Sequence, residues 1–412
     1  MPRSDSNEWR EQEELDEAIP PEEELEAGEE DDEDEAIEPS FFADPKRLIQ
    51  TALFVLVVIA AIYFLLPKLV GVEDAIERMG DGDPVWIGIA LSFSIAMFFS
   101  YVALFKGVVG ERIELKWRES YEITMAGLAA TRLFSAGGAG GIALTYWALR
   151  KAGMERRQTA CRMVAFLVVT YAVYMLTLVI NGVLLRVGAF SGPAPAGLTI
   201  VPAAIAGGIV VIFLLIALIP EDFERRMASF TQGYRFRKWL HRLASAPATL
   251  ASGTRTAIAF VREPSRGGLA VVGAIGFWAA NIAILWAAFK AFDAEIPLAV
   301  VVQGFFVGMF ANLIPLPGGV GGVDAGMIGA FALFDVPGVS GGTIFAAVLT
   351  YRLIAFWLPI PPGIVAFFQL RRTVSHWEEE RAAPGVGTGI AESLPGTKST
   401  SPITSESKVS SS

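Results

Sequence analysis

Leu316-Pro317-Gly318-Gly319-Val320-Gly321-Gly322-Val323-Asp324 interrupts a hydrophobic chain of 412 residues, and 181 positions before its glycines stands a counterpart, Gly137-Gly138-Ala139-Gly140-Gly141. At the same offset Gly127 falls on Gly308 and Ala130 on Ala311. Glycine in lipid exposes backbone polar groups that no solvent satisfies, so such stretches persist only where protein or a water-filled cavity surrounds them. Two of them predict two related halves that share one site. The alternative is a pair of flexible glycine loops between spans, because glycine is common in membrane helices.

With 53% hydrophobic and 18% charged residues, the composition excludes a soluble multidomain protein. The net charge of −10 is misleading, because residues 1–44 carry 20 Asp and Glu against Arg3 and Arg10, leaving the remainder basic. A basic body fits loops held against anionic lipid headgroups. The acidic stretch 1–44 reads as a solvated, disordered cytoplasmic tail. Cys161 is the only cysteine and His241 and His376 the only histidines, all without the clustering a metal or redox site needs, so neither a metal nor a cofactor is expected. No G-x-x-x-x-G-K-[ST] stretch is present to hold a nucleotide. Nothing points to nucleic acid.

A membrane crossing requires about 20 apolar residues. Six segments qualify: Leu48 to Val70, Pro84 to Phe105, Met163 to Leu185, Leu198 to Pro220, Leu269 to Phe289 and Thr343 to Gln369. Cations between them mark Lys106 to Arg118, Arg150 to Arg162, Glu221 to Arg266 and Arg371 with Arg372 as cytoplasmic, which puts both termini inside. The glycine segments 121–149 and 298–335 must then leave and re-enter on the same side. The expected fold is an all-α polytopic membrane protein with about six full spans and two glycine-tipped re-entrant hairpins in an inverted repeat. Residues 298–316 are also long enough to cross completely, which would move Asp324 to the other side. The expected domains are the tail 1–44, a transmembrane domain 45–372 and a low-complexity disordered tail 373–412. Within the transmembrane domain the halves are 45–190 and 195–372. A cytoplasmic basic loop at 221–267 reads equally as an ordinary loop or as an amphipathic helix on the inner leaflet.

Thr131-Arg132-Leu133-Phe134-Ser135-Ala136 leading into the first glycines, Trp147-Ala148-Leu149-Arg150 after them, the Leu316 to Gly326 stretch, and Tyr351-Arg352-Leu353-Ile354 with Trp357, Pro359 and Pro362-Gly363 carry a resemblance. Together they resemble the lysylphosphatidylglycerol synthase transmembrane-region family, flippase-like integral membrane proteins, over roughly residues 48–372. Better-understood members join this module to a soluble aminoacyl transferase or glycosyltransferase. The resemblance implies the lipid-handling membrane part without the synthase.

An ionisable side chain within a span is costly enough to imply function or pairing. Arg132 and Arg352 are expected to bind the phosphate of an anionic lipid, which a guanidinium grips in bidentate fashion. The groove is expected at Gly137, Gly138, Gly140, Gly141, Gly318, Gly319, Gly321 and Gly322, where backbone approaches the headgroup. Asp324 is placed to cap a half-helix or to pair with Arg352. Asn281, Gln303 and Asn312 read chiefly as interhelix hydrogen-bonding groups. No paired carboxylates or nucleophile with a nearby base stand in the spans, so no catalytic residue is expected. Three functions are in play. The first is a non-enzymatic translocator or scramblase for an anionic phospholipid or polyprenyl-phosphate-linked lipid in a bacterial or archaeal plasma membrane. The second is a membrane subunit presenting lipid to a separate transferase, and the third an intramembrane enzyme.

Overall fold

The computed structural model describes residues 80–110, 113–134, 139–218, 249–313 and 321–382. The expected first span and both expected tails up to 79 and beyond 382 lie outside these residues, as do Gly137, Gly138, Gly318 and Gly319. Everything that follows in the fold is helical. The order is α1 Pro84–Val109, α2 Trp117–Phe134, α3 Ala139–Lys151, α4 Arg156–Arg186, α5 Ala196–Ala217, α6 249–262, α7 Pro264–Ala291, α8 Leu298–Met309, α9 Gly322–Phe334, α10 Gly341–Arg352 and α11 Ile360–Ala382. A tight turn, Phe310–Leu313, follows α8, and a π-helical turn, Leu353–Trp357, joins α10 towards α11.

Local sequence sets the ends. Asp83 caps α1 by accepting from the Val85 N–H at 2.8 Å, with Pro84 at the first helical position where no N–H is missed. Pro264 starts α7 in the same way. Among the described residues, α1, α4, α5, α7 and the segment Gly341–Arg381 are long and apolar enough to cross a membrane. The chain is thus an all-α polytopic membrane protein. By contrast α3, α8 and α9 have 13, 12 and 13 residues, about 20 Å of helix, well short of a ~30 Å hydrocarbon core. Among the described residues, the helix that begins at Leu298 is therefore too short for a full span. Helix α2 is longer but carries Arg118, Glu119, Glu122 and Arg132.

The two short-helix pairs are hairpins closed by glycine. In the first, a Cβ on Gly141 would fall on Thr131 Oγ1 and the Gly127 carbonyl. In the second, a Cβ on Gly326 would lie 2.7 Å from the Gly308 carbonyl, and one on Gly308 2.5 Å from Met327 Cγ. Gly127 and Gly308, paired by the sequence offset, thus do the same job in each half. The helix starts repeat as well. Pro84, Trp117, Ala139 and Arg156 open four helices, and Pro264, Leu298, Gly322 and Gly341 open another four about 180 residues later.

Each hairpin packs on the other half's last long helix. Helix α2 runs along α11 and α8 along α4. Asn181 on α4 donates to the Ala299 carbonyl and to Gln303 Oε1, both at 2.9 Å, and Gln303 Nε2 donates to Leu198 O on α5 at 2.9 Å. Tyr174 donates to Phe306 O at 2.7 Å, while Trp278 fills the space against Tyr174, Phe305 and Phe306. Gln303 is fully buried, and interhelix hydrogen bonding is its role. Gln303→Leu strands the Leu198 carbonyl, removes one of the two bonds of the Asn181 amide and should cost about 1 kcal/mol, read as lowered thermal stability in detergent.

Helices α1 and α7 form the broadest contact and run antiparallel: Gly107 meets Ala270, Gly273 meets Leu104, and Gly276 meets Ser100. A Cβ on Gly273 would lie 2.7 Å from Leu104 Cα and one on Gly107 2.8 Å from Ala270 Cα, backbone that cannot swing aside. Gly273→Ala is therefore expected to destabilise by about 2 kcal/mol. Gly268→Ala, which meets nothing within 4 Å, should leave the melting temperature unchanged.

Two boundaries differ from expectation. Residues 249–262 of the basic loop form α6, which buries Ala251, Ala257 and Phe260 in the bundle, and Gly253 closes on Val164 of α4. The apolar residues recur on one helical face, which the density of cations around them obscures. At the other end, α11 continues through Ala382 past the boundary at 372. Glu378 pairs with Lys151 at 2.8 Å and Arg381 donates to the Lys151 carbonyl, so 373–382 is tied to the end of α3. Lys290 pairs with Glu295 at 2.9 Å beyond α7, and its ammonium holds that carboxyl below the usual glutamate range.

Candidate functional site

Two of the charged residues singled out in the sequence converge on one ring. Arg132 ends α2, Arg352 ends α10, and Phe356 sits in the π-helical turn between α10 and α11. The Phe356 ring has the Arg352 guanidinium at 4.3 Å and that of Arg132 at 5.1 Å from its centroid. Such distances place both cations within range of the ring quadrupole.

Arg132 is held by backbone. Its Nη1 donates to the Phe356 carbonyl at 2.6 Å and its Nη2 to the Ala355 carbonyl at 2.9 Å. Proline explains why these carbonyls are available. An α-helix would aim the N–H of residue 359 at Ala355 O, and a π turn would aim that of residue 361 at Phe356 O; both positions are proline, which leaves the Ile360 N–H as one donor for two carbonyls. The fork of Arg132 replaces the two missing donors. This partnership bridges positions more than 220 apart: the prolines announce free carbonyls but not their donor.

Arg352 is anchored differently. Its Nε lies 2.6 Å from Asp324 Oδ1, and the two side chains are 7% and 16% exposed. The other oxygen, Oδ2, accepts from the Gly321 N–H at 2.8 Å at the start of α9. Asp324 thus faces Arg352 with one oxygen and the first turn of α9 with the other. Gly321 has φ +80°, a conformation side chains resist, which accounts for glycine there. Tyr351 donates to Asn281 Oδ1 at 3.0 Å, and Asn281 donates to Phe277 O at 2.8 Å, fixing α10 to α7.

The structure thus brings Arg132, Arg352, Asp324, Gly321 and Gly322 to one region, where the first hairpin, the second hairpin and the last long segment meet. Gly140 and Gly141 lie inside α3 rather than in a loop, where Gly141 closes the hairpin. The cluster holds two guanidinium groups and one carboxylate. Among the described residues Arg132 donates to neutral carbonyls and meets no carboxylate, so the region carries excess positive charge within an apolar bundle. Such an arrangement can accept an anion without importing a counter-ion. Among the described residues no three His, Cys, Asp or Glu side chains come together as a metal site.

A polytopic helical module with a half-buried cationic junction between two hairpins is the class defined by these elements. Over residues 50–363 the chain matches, and belongs to, the family described as the lysylphosphatidylglycerol synthase TM region. Two relatives, each described as a UPF0104 membrane protein of Methanothermobacter thermautotrophicus, are 34% identical over 99 residues and 29% identical over 120 residues. These matches cover 24% and 28% of this chain, and only 28% and 35% of the relatives' own length.

Proposed function

We propose that this protein moves an anionic lipid, a phospholipid or a polyprenyl-phosphate-linked lipid, across the membrane without covalent chemistry. The observation that carries the reading is the surplus guanidinium: Arg132 rests on two carbonyls beside the Arg352–Asp324 pair. A lipid phosphate offers the same bidentate acceptor geometry with a full negative charge, so it competes for Arg132 at modest reorganisation cost. Phe356 sets the spacing of the two cations, and the start of α9 adds its helix dipole nearby.

Support for an inverted repeat comes from α1 and α7. They open corresponding runs of helices yet pack antiparallel, as equivalents do when one half is inverted in the bilayer. Alternating exposure of the junction would follow from rocking one half, with its hairpin, against the other. We place the protein in the plasma membrane with both termini cytoplasmic, on the distribution of loop cations. The expected partners are membrane lipids. The family description, the membrane part of a synthase, favours a second reading in which the module presents lipid to a separate transferase.

Reconstitution distinguishes the two. In proteoliposomes with acyl-labelled phosphatidylglycerol, the protein should make inner-leaflet label accessible to an external quencher faster than it does for labelled phosphatidylcholine. Equal, slow accessibility of both lipids in folded protein would remove the translocation reading and leave presentation.

A further inference from the structure

We propose that a cavity of about 140 Å³ beside the first hairpin takes an uncharged, hydroxyl-bearing part of the lipid headgroup, a polyol or sugar, next to the phosphate at Arg132. The inference rests on the lipid-handling reading above. The cavity lies between the first hairpin and helices α1 and α4. Thr131, the neighbour of Arg132 in the chain, lines it, so both places are built on the end of α2.

Its chemistry is specific. Tyr101, Tyr171, Thr131 and Thr145 turn hydroxyl-bearing side chains to it, and Phe166 supplies an aromatic wall, with its ring 5.5 Å from that of Tyr101. Among the described residues the hydroxyls of Tyr101, Tyr171 and Thr145 make no hydrogen bond; Thr145 is buried and Tyr171 is 45% exposed. They are donors and acceptors in want of a polar ligand. The lining contains no Asp, Glu, Lys or Arg, so it offers no ion-pair partner to an ammonium or a second phosphate. Hydroxyls around an aromatic face suit a neutral polyol, and the volume holds several waters at ~30 Å³ each, or the group displacing them.

Titration of the full-length protein in detergent with phosphatidylinositol and with phosphatidic acid, read by native mass spectrometry, tests this. Both lipids carry the phosphate, but only the first carries a neutral polyol. The expected result is about tenfold tighter binding of phosphatidylinositol, equivalent to one or two hydrogen bonds. In the double variant Thr145→Val, Tyr171→Phe that advantage should fall to less than about threefold, with phosphatidic acid bound as before. Equal affinity in the unaltered protein, or an advantage that survives the double variant, would overturn the headgroup inference while leaving the phosphate site standing. Binding of neither lipid would overturn both.

Discussion

Asp324→Asn should lower stability by about 3 kcal/mol, because it leaves the Arg352 guanidinium, 7% exposed, without its carboxylate. The cap at Gly321 survives in part, since an amide oxygen still accepts from that N–H. Loss of the charge, rather than of the cap, therefore dominates. Removing both charges separates the terms. Asp324→Leu with Arg352→Met eliminates a buried ion pair together with its desolvation cost, and should recover most of the loss. Thermal unfolding of the single and double variants in detergent checks this. A double variant as unstable as Asp324→Asn would mean that the pair is not the main tie between the second hairpin and the last segment.

Arg132→Ala has the largest expected effect on function and a substantial one on stability. It strands the Ala355 and Phe356 carbonyls, each at about 1–3 kcal/mol if left buried without a donor. It also removes the group proposed to grip phosphate, so movement of anionic lipid should disappear. A companion change tells these losses apart. Pro359→Ala in the Arg132→Ala background restores an N–H aimed at Ala355 O, which should return about 1 kcal/mol of stability and no lipid movement. If movement returns with stability, Arg132 is a strut for the π-helical turn and nothing more.

Much of this arrangement is written in local sequence, because its causes are local. Runs of 20 apolar residues mark the long helices; the offset between Gly127 and Gly308 marks the two hairpins. The Arg352–Asp324 pair was legible as an alternative, since two ionisable side chains in adjoining apolar stretches have few partners but each other. What escaped the sequence is long-range. Nothing in the neighbourhood of Arg132 announces Phe356, and the prolines at 359 and 361 indicate free carbonyls without naming the donor. The end of α11 is not legible locally because its anchor, Lys151, lies on α3. The basic stretch concealed α6, whose buried face consists mainly of small residues with a weak hydrophobic signature. The cavity beside the first hairpin is a product of packing among four helices, and Tyr101 read by itself is an ordinary interfacial aromatic.

The glycines illustrate the same division. Their clustering predicted irregular backbone, yet Gly140 and Gly141 are helical and serve close helix contact. Only Gly321 among the described members uses the conformational freedom that glycine alone has. Composition identifies where backbone must come close. It does not distinguish a turn from a helix–helix seam.

The most direct test of the central claim is the rate at which labelled phosphatidylglycerol crosses in proteoliposomes containing Arg132→Lys, compared with the unaltered protein and with Arg372→Ala, an exposed cation on α11. Lysine keeps the charge and loses the two-pronged grip. The account predicts a rate at least about tenfold lower for Arg132→Lys, the loss of one charge-assisted bond, with Arg372→Ala unchanged. Equal rates for all three proteins would contradict a phosphate path through Arg132.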